Sequence, residues 1–345
     1  MRLFKSLVAA MAIGAFAVSP AVTQQAAAQQ IEKPDLTLAI GGRVALYYLP
    51  LNIADLKGYF TEEGLNVDVV DFQGGSKSVQ AVVGGSADVL TSAFEHMIVL
   101  KAKNQDFTAI TLMGQYPGFV LSVTPELAKD WKGMESLRGK NVGVTSPGSS
   151  TNKMVDLLLL GAGMEPSDVS IIGVGAGPGT LAAFRNGSVE AAVQADPAAT
   201  LFEKEGLAMP VVDTRTPEGT EQVYGGPMPA ATLSVPTAFV KANPNTTQAL
   251  ASAMVKALKF IHDSTPEEIV DVLPEDMLVG GDRALYIEML EKVKPAFSPD
   301  GIIPEAAVET AYRAQKSYNP AVAEAGEMDL GSVYTNRFVE HANGS

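Results

Sequence analysis

The stretch Gly74-Gly75-Ser76, followed by an apolar helical run and then Gly85-Ser86-Ala87-Asp88-Val89-Leu90, has a second copy farther along the chain. There it reads Gly177-Pro178-Gly179, another apolar helical run, and Gly187-Ser188-Val189-Glu190-Ala191-Ala192. In each copy a glycine turn opens a helix, Gly-Ser closes it, and an acidic residue starts a short apolar strand. Ten positions separate Gly75 from Gly85, and ten separate Gly177 from Gly187. Two such α/β units predict two lobes with a cleft between them, and clefts of this kind take small ligands.

Around the first copy, residues 36–40 and 67–72 alternate apolar positions as strands do, and residues 107–113 supply a further strand. Thr91 and Ser92 offer capping hydroxyls for a helix over roughly 94–103. This β-α-β-α-β order predicts a parallel sheet with right-handed crossovers. Tyr116-Pro117-Gly118 interrupts the pattern, and the order restarts with strands at 141–145, 169–174, 191–194 and 209–212. Tyr224-Gly225-Gly226-Pro227 reads as a second crossing. Residues 119–123 and 231–235 resemble each other and read as hinge-region strands. The expected organisation is a first lobe over 34–115, a second over 116–224, and a tail over 225–345. That tail is a return crossing and helices packed on the first lobe, the last helix around 334–341.

The 345 residues are 46% hydrophobic and 19% charged, a folded globular composition with length enough for two cores. A net charge of −14 opposes nucleic acid and anionic lipid as partners. Arg2 and Lys5, an apolar core at 7–18 and Ala26-Ala27-Ala28 follow one another as in a secretory signal peptide spanning 1–28. The chain has no cysteine, which leaves no disulfide, no thiolate metal site and no lipid on an N-terminal cysteine. The expectation is a protein diffusing freely in a periplasm.

Ligands of open α/β sheets sit beyond the carboxyl ends of the strands. That rule selects five loops, 43–48, 73–76, 91–95, 146–151 and 175–179, with Asp196 at one more strand end. Ser146-Pro147-Gly148-Ser149-Ser150-Thr151 is the strongest signal, because hydroxyls and free N–H groups at a helix start bind anions. Simple N-capping explains one hydroxyl there, and three in a row weigh an anion contact evenly against it. Tyr47 and Tyr48 offer ring area and a hydroxyl, one of the two being expected to face the core. Gln73, Gly74 and Gly75 form the first glycine turn, and Gly177 belongs to the second. Thr91, Ser92 and Glu95 gather at a helix start. Arg43 reads as a loop arginine more than as a counter-ion, and His96 as a helix-face histidine in ordinary contacts. Asp196 reads as a cap for the helix that Pro197 begins, or as the partner of a ligand amine.

Catalytic patterns fail. From Gly173 the third glycine of Gly-x-Gly-x-x-Gly falls on Pro178, and from Gly175 on Thr180. His96, His262 and His341 are scattered, and neither a metalloprotease helix motif nor a nucleophile elbow is present. Neither a cofactor nor a metal is expected.

Tyr47-Tyr48-Leu49-Pro50-Leu51-Asn52-Ile53-Ala54, Gly58-Tyr59-Phe60, Glu63-Gly64-Leu65, Phe72-Gln73-Gly74-Gly75 and Leu137-Arg138-Gly139-Lys140-Asn141-Val142-Gly143-Val144 occur in this order. Together with the two Gly-Ser-x-acid segments, they resemble the nitrate/sulfonate/taurine-type substrate-binding proteins of ABC importers, whose relatives include the fungal thiamine-pyrimidine synthases. The resemblance covers roughly 36–260. It implies an α/β type II periplasmic binding protein fold, two lobes joined by two crossing segments that close on a ligand. Many relatives carry Glu-Pro where this chain has Asp196-Pro197, which sets the carboxylate back from the cleft. The implied function is delivery of a small anionic organic solute, of sulfonate or carboxylate type, to an ABC permease by a monomeric, non-enzymatic protein. A pyrimidine-synthase-like enzyme and a ligand-sensing partner of a membrane receptor are the alternatives.

Overall fold

The computed structural model describes residues 30–279 and 281–344, so the expected signal peptide at 1–28 lies outside the described residues. Ten strands among them form two five-stranded sheets. The first sheet has the order β2-β1-β3-β10-β4, from β1 (Asp35–Ile40), β2 (Asn66–Asp71), β3 (Val89–Ala93), β4 (Phe107–Leu112) and β10 (Ala231–Pro236). The second has the order β7-β6-β8-β5-β9, from β5 (Phe119–Val123), β6 (Asn141–Val144), β7 (Ser170–Gly173), β8 (Ala191–Ala195) and β9 (Met209–Asp213). Both sheets therefore follow one plan, and the two copies of the glycine-turn segment occupy equivalent places in it. Leu38, Ile40, Ile110 and Leu233 are wholly buried against the first sheet, and Leu121, Val142, Val144 and Val193 against the second.

The expectation of parallel sheets is corrected at one strand in each. β5 runs antiparallel between β8 and β9, and β10 runs antiparallel between β3 and β4. These are the two strands read as hinge strands. The chain leaves one lobe after its fourth strand and enters the other sheet from the opposite direction. An apolar run carries no sign of strand direction, so the sequence pattern is silent on this.

The repeated acid has a structural task. Asp88 Oδ2 accepts the Thr37 N–H at 3.0 Å, and the Asp88 N–H donates to Thr37 O at 2.8 Å. Glu190 does the same for Asn141, each bond 3.0 Å. Each acid thus pins the starts of two neighbouring parallel strands, β1 and β3 in the first sheet and β6 and β8 in the second. Gly85 and Gly187 take left-handed φ values of 76° and 70° that let the preceding helix turn into this strand.

The helices that matter for the cleft are α1 (Leu49–Leu56), α2 (Gly75–Val83), α3 (Glu95–Ala102), α4 (Ser150–Gly161), α5 (Pro178–Arg185) and α6 (Ala198–Lys204). In the tail, α7 (Pro244–Asp263) packs on α1 and on α9 (Arg337–Asn343). Between them α8 (Glu305–Tyr318) packs on α3 of the first lobe and also on α4 of the second. The tail reaches both lobes, where packing on the first alone was expected, because α8 buries two flanks.

Candidate functional site

The carboxyl ends of both sheets open into one small cavity. Tyr47, Tyr48 and Gly75 wall it from the first lobe, and Ser149, Ser150 and Thr151 from the second. Each of the five loops selected by the strand-end rule, or the residue beside it, contributes to this wall.

The helix starts at the cleft carry no side-chain cap, as is also true of the helices after Gly58, Asn243 and Pro304. The residues preceding α2, α3, α4 and α5 are Gly74, Phe94, Ser149 and Gly177, and none supplies a side-chain cap. Away from the cleft, Thr216, Thr265 and Asp282 cap their helices by accepting a backbone N–H. The first N–H groups of α2 and α4 are thereby left for another acceptor, with the positive end of each helix dipole behind them. These two starts belong to different lobes and line the same cavity.

The hydroxyl run is more tied down than its sequence suggests. Thr145 Oγ1 donates to Ser149 Oγ at 2.9 Å, Ser149 Oγ and Thr151 Oγ1 lie 2.8 Å apart, and Thr151 Oγ1 accepts the Thr145 N–H at 3.0 Å. Ser150 Oγ is buried and faces the Glu95 carboxyl, which it favours in its ionised form. Tyr47 stacks on Phe119, with ring centroids 5.1 Å apart, and meets Tyr48 edge-on at 4.9 Å. The buried Tyr47 hydroxyl also lacks a partner. Burial pushes both phenols well above their usual range, so at neutral pH they are uncharged donors.

Several expected contacts point elsewhere. Gln73 is exposed and turns back to Asp71, its Nε2 donating to Oδ2 at 2.6 Å. Thr91 and Ser92 lie inside β3 and cap nothing, and Thr91 Oγ1 donates to Ala39 O at 2.7 Å. Gly148 is exposed, and its N–H donates to Asn152 Oδ1 at 2.8 Å. Arg43 is drawn to Asp55. Asp196 serves α6: its Oδ1 accepts the Thr200 N–H at 3.0 Å and the Thr200 hydroxyl at 2.8 Å.

Gly74, Ser146 and Gly177 instead hold the lobes together. Ser146 Oγ lies 2.7 Å from Ser76 Oγ across the cleft, and Ser76 donates to Pro147 O at 2.9 Å. A Cβ at Gly74 would stand 2.3 Å from Ser146 Oγ, and one at Gly177 2.7 Å from Val44 Cγ2. The Leu46 N–H donates to Asp196 O at 2.8 Å. The lobes are shut, and the glycine turns are where they touch.

Glu95 and His96 open α3 and face Lys153, one turn into α4. Glu95 Oε1 and Lys153 Nζ are 3.9 Å apart, and both residues are almost wholly buried. Neither of those atoms has a hydrogen-bond partner, nor has His96 Nε2. Burial raises the Glu95 carboxyl, against the pull of Lys153 and Ser150, and lowers Lys153 to about 8. Burial and Lys153 hold His96 well below its usual range, hence neutral. Lys153, Phe119, Thr145 and Gln194 were missed. Gln194 ends a strand and was open to the strand-end rule, whereas Lys153 had only its spacing from Ser150.

Comparison with known proteins follows this geometry. A solved structure from Bordetella bronchiseptica RB50 is 44% identical and superimposes with a TM-score of 0.89, covering 92% of this chain and 99% of that one. YtlA of Bacillus subtilis (strain 168), named as a binding protein, is 26% identical over 267 residues, 76% of this chain and 77% of its own. The alkanesulfonate-binding protein SsuA from Xanthomonas axonopodis pv. citri, solved with MOPS, is 17% identical with a TM-score of 0.66, covering 86% of this chain and 99% of that one. At that identity it shows a shared periplasmic-binding-protein fold and nothing more. The NMT1/THI5-like family model matches residues 46–269, and the chain belongs to this family.

Proposed function

We propose that this protein is an exported binding protein whose lobes close on a small organic anion and present it to an ABC permease. The carrying observation is the pair of uncapped helix starts, α2 from one lobe and α4 from the other, lining one cavity. An anionic oxygen set between them accepts N–H bonds from both lobes, and hydrogen bonds to a charged group are worth about 1.5–3 kcal/mol each. Such a ligand binds the shut form better than the open one and shifts the population toward it. The Tyr47 hydroxyl adds a neutral donor, and the aromatic wall suits an organic body.

The name of the Bacillus relative favours binding over catalysis. No helix among the described residues is long and apolar enough to cross a membrane. With residues 1–28 as a cleaved signal, the protein is placed in the periplasm as a monomer, with lobes over 34–115 and 116–224 and the tail over 225–345. Calorimetric titration with ethanesulfonate, propionate and ethylammonium tests this. One-to-one binding of an anion and none of the ammonium is expected. An ammonium bound in place of the anions overturns it.

A further inference from the structure

Ser150 lines the cavity at the start of α4, and its hydroxyl faces the Glu95 carboxyl. An anion at that helix start and the Glu95 carboxylate are therefore neighbours across one serine. Lys153 Nζ, from the opposite lobe, lies 3.9 Å from Glu95 Oε1, and both residues are almost wholly buried. The arginines of the adjoining loops hold acids of their own, Arg43 on Asp55 and Arg215 on Asp213 and Asp196. The remaining groups that act on the pair bring no second buried cation. Tyr47, Tyr224 and Tyr318 lie within electrostatic reach of Glu95 as phenols that burial keeps neutral. His96 is neutral, and the exposed Lys103 and half-buried Asp156 act on Lys153 in opposite directions.

We infer that an anion enters this cleft together with one proton, which the Glu95–Lys153 pair takes up from solvent. This rests on the anion reading above and adds a proton to it. A buried charge without a partner is costly, and an interior group sheds that cost by becoming neutral. With Glu95 ionised, Lys153 balances only one of two negative charges. With Glu95 protonated, Lys153 is left to the ligand. Burial has already raised the carboxyl and lowered Lys153 to about 8, and a nearby anion moves both upward, which is proton uptake. Affinity therefore falls as pH rises across the interval between the unliganded and liganded titrations of the pair.

Calorimetric titration of the whole protein with ethanesulfonate, in buffers of different ionisation enthalpy from about pH 5 to 9, tests this. The probe stays ionised throughout, so any proton taken up goes to the protein. Uptake should rise toward one proton within this range, with affinity falling by up to about tenfold per pH unit there. Glu95→Gln with Lys153→Met carries no charge at either position and should bind more weakly, with pH-independent affinity and no uptake. Asp156→Asn should keep the uptake. Binding without uptake at every pH overturns the inference and spares the anion site. Uptake that persists in the double variant, or that vanishes in Asp156→Asn, overturns it as well. Failure of ethanesulfonate to bind the wild type at any pH removes both readings.

Discussion

Gly74→Ala isolates the energetics of lobe closure. Gly74 has a φ of 174°, extended backbone that alanine adopts without strain, so the substitution costs nothing locally. Its whole effect is the added methyl, which in the shut form would stand 2.3 Å from Ser146 Oγ and 2.7 Å from Ser146 Cβ. Ser146 is poorly placed to retreat, since its Oγ is bonded to Ser76 at 2.7 Å and its N–H to Ser149 Oγ at 3.4 Å. Overpacking of this kind costs about 1–3 kcal/mol. The open form has no such contact, so the cost falls on ligand affinity and weakens it by about five- to 150-fold. Calorimetric titration reads the affinity, and urea unfolding of the unliganded protein reads stability. The second variant, Gly74→Ala with Ser146→Gly, removes the obstruction and should recover most of the loss, less about 1 kcal/mol for the Ser76 bond. Wild-type affinity in the single variant would refute the claim that Gly74 meets Ser146 in the ligand-bound state.

Lys153→Met strips the buried Glu95 carboxylate of its cation. Breaking a buried pair costs about 3–5 kcal/mol, and the 3.9 Å separation places this one near the lower end. Adding Glu95→Gln should restore most of the stability in urea, and a single variant within about 0.5 kcal/mol of wild type would contradict the pairing. Asp156, raised to about 6 by burial against the opposing effects of Asn152 and Lys153, binds its proton more tightly folded than unfolded. Its contribution is complete below the ordinary value of 3.8 and is lost as pH rises through about 6. The Asp156→Asn variant should therefore show a flatter stability profile between pH 4 and 6, by on the order of 1–2 kcal/mol after screening. A profile unchanged by the substitution goes against that assignment. Thr151→Ala leaves the Thr145 N–H without its acceptor and should cost about 1–3 kcal/mol in urea unfolding, while Thr151→Ser keeps the bond and the stability. Equal stabilities for the two variants contradict the loop-tying role.

The doubled glycine-turn segment made both lobes legible, because glycine turns, Gly-Ser stops and acid-led strands are local signals. Asp88 and Glu190 show why the pattern repeats, each tying its strand to the neighbouring parallel strand of its own sheet. The strand-end rule found the cavity wall for the same reason. Side-chain direction was not legible. Gln73 folds back on Asp71 two positions away, and Thr91 spends its hydroxyl on a neighbouring strand, choices decided by partners that no spacing displays. Glu95 meets Lys153 across 58 positions and between the two lobes, a pairing that no local spacing displays. In the sequence the glycines signal only freedom to turn. At Gly74 and Gly177 the shut lobes also demand the missing side chain.

The central claim is that one anion is held by helix starts from both lobes. Amide nuclear magnetic resonance during titration with ethanesulfonate tests it most directly. The account predicts that the Gly75 and Ser76 amides of α2 and the Ser150 and Thr151 amides of α4 shift together, with one affinity. Shifts confined to one lobe, or absent from all four amides while the anion binds, would contradict it.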